Sequence, residues 1–202
     1  DFASYEHDGR YAMADAELTS AQYAFAETVL HGRPYVTLAE VRGRFKEAFP
    51  DEPAPVLGSR NLRPLGYGIA GSLLVREDAD LAGLFGAIMD SREAFGIDDA
   101  DLGRDVFRNE VFKSELNKRI RAFQIVEYKP DHFVLTSVFA RMGSSVTTED
   151  LRDFVDAAIE FMEPGRPYSV KSLRKAGFAH PVFDLGDVVA LAGYFFFGSL
   201  IA

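Results

Sequence analysis

The sequence predicts a mainly α-helical chain with short β-hairpins, built from related modules. A Gly-Arg-Pro-Tyr phrase occurs at Gly32–Tyr35 and again at Gly165–Tyr168, and a second apolar phrase follows each copy, at 65–75 and 192–202. Elsewhere, apolar residues recur at the 3.6-residue spacing of helices that bury one face. The segment 122–136 instead has β-rich arms around a Pro-Asp pair, which is typical of a hairpin. Repeated phrases of this kind indicate copied supersecondary units.

Composition bounds the class of protein. The 202-residue chain is 48% apolar and contains 18 Phe and 8 Tyr, which is enough for packed cores. Its length allows one large domain or about two to three small ones. It contains no Cys, which excludes disulfides, thiolate catalysis and Cys-based zinc sites. The lack of Cys suits a cytoplasmic protein.

Charge is distributed unevenly along the chain. The net charge of −9 argues against indiscriminate nucleic-acid binding, because phosphate contacts need Lys and Arg. Basic residues nevertheless outnumber acidic ones in 32–75, 104–132 and 164–202, and acidic residues predominate between these segments. Acidic helix starts and solvated faces are one explanation. The other explanation is that the half of each module that carries its function is mildly basic.

The two ends of the chain raise the question of targeting. No basic-then-apolar leader follows Asp1, so we expect no signal peptide and a segment of a larger protein. Residues 188–202 carry no charge. This stretch is shorter than the roughly 20 residues that a membrane-spanning helix needs. We therefore expect the truncated core of a last module, and no membrane partner.

The first module is expected over 15–75, after a flexible lead-in at 1–14. Thr19 or Ser20 can cap a helix that runs to about His31, where a glycine and a proline follow. A second helix is predicted from Leu38 to Phe49, capped by Thr37. The apolar phrase at 66–75 fits either the end of a third helix or a strand. The elements expected here are thus helices at 20–31 and 38–49 and an open assignment at 66–75.

The middle module is expected over 78–138. Its hairpin, at 122–136, turns at Lys129-Pro130-Asp131. Three helices precede it, predicted at Asp80–Phe95, Asp101–Asn109 and Glu110–Ile120.

The last module is expected over 145–202 and repeats the order of the first. Thr147 and Thr148 precede an acidic first turn, which is a good helix start. An apolar stripe continues from there until the helix ends at Gly165. Further helices are predicted at Val170–Ala176 and Leu185–Ala192.

Three helices followed by a hairpin is the order of a winged helix, and residues 78–138 resemble that fold. The repeat units at 15–75 and 145–202 resemble its helical part. The Leu65-Gly66-Tyr67 phrase, which follows a charged helix and loop, is also similar to the small LOTUS-type helix–turn–helix modules that bind RNA. The resemblance implies tandem winged-helix-like modules with a nucleic-acid partner.

Five basic residues are the candidate contacts. They lie on or just after the helix before the hairpin, and in the hairpin turn: Lys113, Lys118, Arg119, Arg121 and Lys129. In a winged helix these are recognition-helix and wing positions, suited to phosphate contacts. The alternative is a solvated helix face with acidic partners such as Glu110 and Glu115. Smaller basic clusters are Arg60 with Arg63, and Lys171 with Arg174 and Lys175.

Other motifs resemble nucleotide-binding or metal-binding sites but do not meet the requirements of such sites. Gly66-Tyr67-Gly68-Ile69-Ala70-Gly71 fits a dinucleotide-binding pattern, but such a loop needs a buried strand before it and a helix after it. The second copy has Phe195 in place of the middle glycine, so we expect glycines kept for close packing. The acidic run at 98–103 lacks the ligand positions of a calcium loop. Four dispersed His residues show no metal spacing. We predict no cofactor, no metal and no catalytic residue.

The favoured function is a non-enzymatic nucleic-acid-binding or transcription-regulatory segment, with DNA or RNA as the ligand. A protein–protein interaction or scaffolding segment, including a homo-oligomer, is the alternative. The acidic total and the Phe195–Phe197 run favour that alternative. An enzyme is third, because no nucleophile, base and orienting group occur together.

Overall fold

A computed structural model describes residues 3–6, 10–13, 17–52, 55, 57–141, 145–166, 168 and 170–181. About half of it is helical, and it contains two three-stranded antiparallel sheets. The prediction of a mainly α-helical chain with short hairpins is therefore confirmed. The chain divides into two compact units, Asp1–Ala82 with Arg104–Phe112, and Gly83–Gly103 with Lys113–Ala202.

Two short strands lie within the segment expected as a flexible lead-in. Strand β1 (Ala3–Glu6) and strand β2 (Arg10–Met13) pair antiparallel, with Ala3 opposite Met13. Backbone pairing of this kind was not readable from the mixed polar sequence.

Local signals place the first two helices of the first unit. Helix α1 (Ser20–Leu30) begins at Thr19, which forms a capping box with Gln22. It ends before Gly32, whose φ of 71° is the left-handed value that glycine adopts without strain. Strand β3 (Tyr35–Thr37) follows, and Thr37 caps helix α2 (Leu38–Ala48) by accepting from the backbone of Glu40. The predicted capping residues are confirmed, and helix α2 ends one residue before Phe49.

The open segment at 66–75 is a hairpin. A four-residue helix α3 (Ser59–Leu62) and a 3-10 turn (Arg63–Leu65) lead into strand β4 (Tyr67–Ala70) and strand β5 (Leu73–Arg76). Strand β5 pairs with β4 on one side and β3 on the other, so the last strand is central. The first unit therefore has three helices followed by a hairpin, and this hairpin was not part of the predicted order.

Aromatic packing holds the first unit together. Phe25 meets Phe45 and Phe49 edge-on at 5.0 and 5.5 Å between ring centroids. Ala26, Phe45 and Tyr67 belong to one buried cluster, in which Ala26 and Phe45 are at most 1% exposed. The core lies between the helices and the inner face of the sheet.

The first helix of the middle region is shorter than predicted. Helix α4 (Leu81–Asp90) ends five residues before the predicted Phe95, and strand β6 (Ala94–Gly96) follows. Phe95 pairs opposite Phe133 in the sheet, and their rings stack at 5.4 Å. This long-range pairing prevails over the local helical pattern.

Two helices and the predicted hairpin complete this region. Helix α5 (Gly103–Phe107) precedes helix α6 (Glu110–Arg121). Strand β7 (Ile125–Lys129) and strand β8 (His132–Leu135) confirm the hairpin, and the strand order β6-β8-β7 again puts the last strand at the centre. Segment Arg104–Phe112, which was predicted within the middle module, is grouped with the first compact unit.

The second unit continues into the last predicted module. After a 3-10 turn (Thr136–Val138), helix α7 (Thr148–Phe161) starts with a capping box between Thr147 and Asp150. Helix α8 (Val170–Lys175) follows. Buried residues of α7 and α8 share one core with Val126 and Phe139. The predicted helix at 185–192, the uncharged stretch at 188–202 and the Phe195–Phe197 run lie outside the described residues.

Candidate nucleic-acid interface

Buried side chains and a cap fix the orientation of helix α6. Phe112 is fully buried, and Leu116, about one turn later, is 8% exposed. Asn109 precedes the helix, and its Oδ1 accepts hydrogen bonds from the backbone N–H groups of Val111 at 3.0 Å and Phe112 at 3.3 Å. Such a cap satisfies donors that have no partner within the helix. The face opposite Phe112 and Leu116 is left towards solvent.

That outer face carries cations and small polar groups. The strip, here called the α6 strip, consists of the exposed residues Lys113, Ser114, Asn117, Lys118 and Arg121. Residues three and four positions apart share a helix face, so these side chains are contiguous. At 1.5 Å per residue, the α6 strip is about 12 Å long. The structure thus brings three of the five predicted residues onto one surface.

Arg119 is placed differently from its neighbours. Its side chain is only 13% exposed. Its Nε and Nη2 donate to the two carboxylate oxygens of Asp90, at 2.9 and 3.0 Å, and its Nη1 donates to Glu115 Oε2 at 2.8 Å. Arg119 therefore joins α6 to the end of α4 and does not belong to the α6 strip.

The same network neutralises acidic charge near the α6 strip. The hydrogen bond from Arg119 holds the pKa of Asp90 below its ordinary value. Helix α6 contains two acidic residues: Glu110 is exposed in its first turn, and Glu115 has a side chain that is 17% exposed. Because the Glu115 carboxylate accepts from Arg119 and lies 3.9 Å from Lys118 Nζ, it adds no uncompensated negative charge.

Lys129 lies in the hairpin, as predicted. It is exposed at the end of β7, next to the Pro130-Asp131 turn. Asp131 has a φ of 58°, and its backbone N–H donates to Glu127 Oε1 at 2.8 Å. Burial raises the pKa of Glu127. The turn that presents Lys129 is thus held by a side chain of its own strand.

The smaller basic clusters form less extensive surfaces. Arg60 pairs with Glu17 at 2.6 Å, and both side chains are more than half exposed. Arg63 is exposed in the 3-10 turn that follows α3. Arg174 and Lys175 are exposed at the end of α8, and the side chain of Lys171 lies outside the described part. The short helix α3 offers no strip comparable to that of α6.

The glycine-rich phrase is a hairpin, and two of its three glycines lie at turns. Gly66 ends the 3-10 turn, Gly68 lies in β4 and Gly71 lies in the turn to β5. A dinucleotide loop instead connects a strand to a helix. The expectation of close packing is wrong, because a Cβ added at any of the three would meet no atom within 4 Å. The φ values of 75° at Gly66 and 64° at Gly71 explain the preference for glycine there.

Two carboxylates of the acidic run at 98–103 are bonded to Arg92. Arg92 Nη1 donates to Asp99 at 3.3 Å and to Asp101 at 3.1 Å, and this bonding lowers the pKa of Asp101. Within the described ranges, no group of three or more His, Asp or Glu residues is placed to hold a metal ion. No helix in those ranges has the length and apolar character needed to cross a bilayer.

A cavity of about 270 Å³ lies in the first unit. Its lining includes Tyr23, Glu27, His31, Arg76 and Tyr67. The Tyr67 hydroxyl is already directed to the carbonyl oxygens of Leu30, the last residue of α1, and of Arg33, and burial raises the pKa of Tyr67. The volume is below the roughly 300 Å³ at which small-molecule sites usually begin. We do not assign a cofactor to it.

The sequence analysis did not identify four polar residues of this site: the cap Asn109, the strip residues Ser114 and Asn117, and the Arg119 partner Asp90. Asn109 had a readable signal, since Asn before a helix start is a favoured cap. Ser114 and Asn117 follow from helical spacing once Lys113 is placed outward. Asp90 had no such signal, because it lies 29 positions before Arg119. Comparison with protein-family models, with curated proteins and with solved structures finds no significant match to this chain.

Proposed function

We propose that the chain contains tandem winged-helix modules and that one of them binds double-stranded DNA through helix α6. The modules are α1-β3-α2-α3-β4-β5 and α4-β6-α5-α6-β7-β8. Each has the order helix, strand, two helices and hairpin, and each sheet has its last strand at the centre. This shared order supports the fold assignment, and the α6 strip supports the function.

The α6 strip is the single observation that carries the proposal. It combines Lys113, Lys118 and Arg121, which suit phosphate oxygens, with two neutral hydrogen-bonding side chains between them. A helix of about 10–12 Å diameter enters a major groove of about 12 Å width. In that position Asn117 reaches base edges, where Asn pairs well with adenine.

Lys129, exposed at the end of β7, is the further cation that the proposal uses. As the wing residue it contacts phosphate beside the groove that α6 enters. Arg119 has a positioning role in this proposal, because its guanidinium is held by Asp90 and Glu115. The acidic remainder of the chain limits binding without sequence preference.

A titration of labelled duplex DNA, followed by fluorescence anisotropy, tests the proposal. Four cation–phosphate contacts predict an affinity that falls roughly 100-fold between about 50 and 200 mM salt. Lys118→Glu with Arg121→Glu should weaken binding by more than about tenfold and flatten the salt dependence. Single-stranded RNA should bind more weakly than the duplex.

The matched control is Arg42→Glu with Lys46→Glu on helix α2. Both residues are exposed, and the pair changes the net charge by the same amount. This control should alter duplex affinity only slightly, because neither residue belongs to the α6 strip or to the β7–β8 hairpin. Equal losses in both double variants, or no duplex binding at low salt, would contradict the proposal. Tighter binding to RNA would exclude duplex DNA as the preferred ligand.

A second candidate function, self-association, is favoured by one observation in the first unit. Ile69 is 45% exposed in β4, and β4 is an edge strand of its sheet, a position that can pair with another chain. We propose that this strand face pairs with a second copy of the chain. Sedimentation velocity should then show a concentration-dependent dimer that Ile69→Asp abolishes. A monomer at all concentrations would exclude this candidate.

A further inference from the structure

The tip of the β4–β5 hairpin is not free. Asn109 Nδ2 donates to the carbonyl oxygen of Ala70 at 3.2 Å, and Ser72 Oγ donates to that of Asp105 at 3.1 Å. All four residues belong to the first compact unit, which includes Arg104–Phe112. A wing that inserts into a groove needs an accessible tip, and this one is bonded on both sides of Gly71.

Both the oxygen and the nitrogen of the Asn109 side-chain amide form hydrogen bonds. Its Oδ1 caps α6 at Val111 and Phe112, while its Nδ2 holds Ala70. The residue is only 5% exposed, so a lost partner would leave a buried polar group unsatisfied. The amide therefore links the start of α6 to the hairpin tip through a single side chain.

The hairpin tip is itself anchored. The carbonyl oxygen of Ser72 accepts from the backbone N–H of Leu38 at 2.8 Å, at the first residue of α2. Strand β5 is the central strand of its sheet. What Asn109 holds is thus a fixed point of the first unit, not a mobile loop.

We propose that the β4–β5 hairpin is a clamp on the first turn of α6, and that Asn109 is the positioning residue for the DNA-binding strip. This inference rests on the proposed function. Starting a helix is the costly step of its formation, and a fixed first turn removes that cost from the binding event. Lys113 and Ser114 lie one turn beyond the clamp, so they are ordered before DNA arrives.

Two neutral substitutions test the clamp without changing charge. Asn109→Ser keeps a capping oxygen but is too short to hold Ala70, and Ser72→Ala removes the bond to Asp105. Each should speed amide hydrogen exchange at Val111 and Phe112 by about tenfold and weaken duplex binding by a similar factor. The salt dependence of binding should stay unchanged, because no phosphate contact is lost.

Asn61→Ser is the matched control. Asn61 is a buried asparagine of the same unit, at 6% exposure, and it accepts from the backbone of Leu18. It should lower stability without changing exchange at the start of α6 or duplex affinity. An affinity loss equal to that of Asn109→Ser would overturn the positioning role.

Hydrogen exchange separates this inference from the proposed function. If the unchanged protein binds no duplex, the proposed function fails and exchange at Val111 and Phe112 still tests the clamp. Exchange that stays at the original rate in Asn109→Ser would overturn the clamp. Faster exchange with undiminished duplex affinity would overturn the role in binding.

Discussion

The third helix is where two otherwise similar regions differ most. Helix α3 has 4 residues and helix α6 has 12, although both follow a helix, a strand and a helix and precede a hairpin. Pro64 stands where α3 would continue, and it cannot donate the next helical hydrogen bond. No proline interrupts α6. The same order of elements therefore yields an extended basic strip in one region and none in the other.

The largest expected effect concerns how α6 is held. Arg119→Ala should lower the free energy of unfolding by about 2 kcal/mol, because Glu115, at 17% side-chain exposure, loses its charged hydrogen-bond donor, whereas Asp90, at 61% exposure, is solvated by water instead. The first-unit control is Arg44→Ala, at a side chain that is 51% exposed. That change should cost about 0.5 kcal/mol or less. Urea denaturation measures both, and equal costs would mean that Arg119 is an ordinary surface residue.

Two helical glycines should respond in opposite directions. A Cβ at Gly86 in α4 would lie 2.6 Å from Arg119 Nη2, whereas one at Gly43 in α2 would meet nothing within 4 Å. Gly86→Ala should destabilise by about 1–2 kcal/mol, since the held guanidinium must shift. Gly43→Ala should stabilise by about 1 kcal/mol through helix propensity.

Thermal unfolding of a double variant sharpens this test. Once Arg119→Ala is present, Gly86→Ala should no longer destabilise. A persistent loss would show that the clash is with another group.

The two hairpin turns offer a smaller contrast. Gly71→Ala places an L side chain at a φ of 64° and should cost about 1 kcal/mol. Asp131→Gly removes a side chain from a φ of 58° and should change stability by less than about 0.5 kcal/mol. Denaturation midpoints check both. A cost at Asp131 equal to that at Gly71 would show that the aspartate side chain stabilises its turn.

The smallest expected effect depends on pH. Burial raises the pKa of Glu127 in the folded state, so its contribution to stability is present below the unfolded value of about 4.3 and is lost as pH rises through the folded value. Glu127→Gln should therefore gain stability relative to the original protein as pH rises towards neutral. Ile69→Gln in the first hairpin is the control, with a pH-independent effect. Parallel stability curves for Glu127→Gln and the original would contradict the assigned shift.

Elements with local signals were predictable from sequence. Thr37 and Thr147 cap helices because their hydroxyls and the following acidic residues act within one turn. The hairpin at 122–136 was readable from Pro130-Asp131 and its β-rich arms. These features need no distant partner.

Features set by distant partners were not predictable. Helix α4 was predicted through Phe95, because nothing nearby shows that this residue stacks on Phe133. Arg119 had the same sequence context as Lys118, yet only Arg119 meets Asp90. The candidate site was thus predictable as a basic helix. It was not predictable that the α6 strip is exposed while Arg119 is bonded to Asp90.

The central position of β5 and β8 bears on how the protein folds as it is synthesised. Strand β3 has its partner in β5, so Tyr35 must wait for Val75 before it can pair, and β6 likewise waits for β8. Neither three-stranded sheet can close until its last strand has left the ribosome, and the loop closed is long. Helices α1 and α2 therefore spend that interval with an uncovered apolar face, and a ribosome pause before residue 76 would prolong the period in which the nascent chain is open to aggregation or chaperone capture.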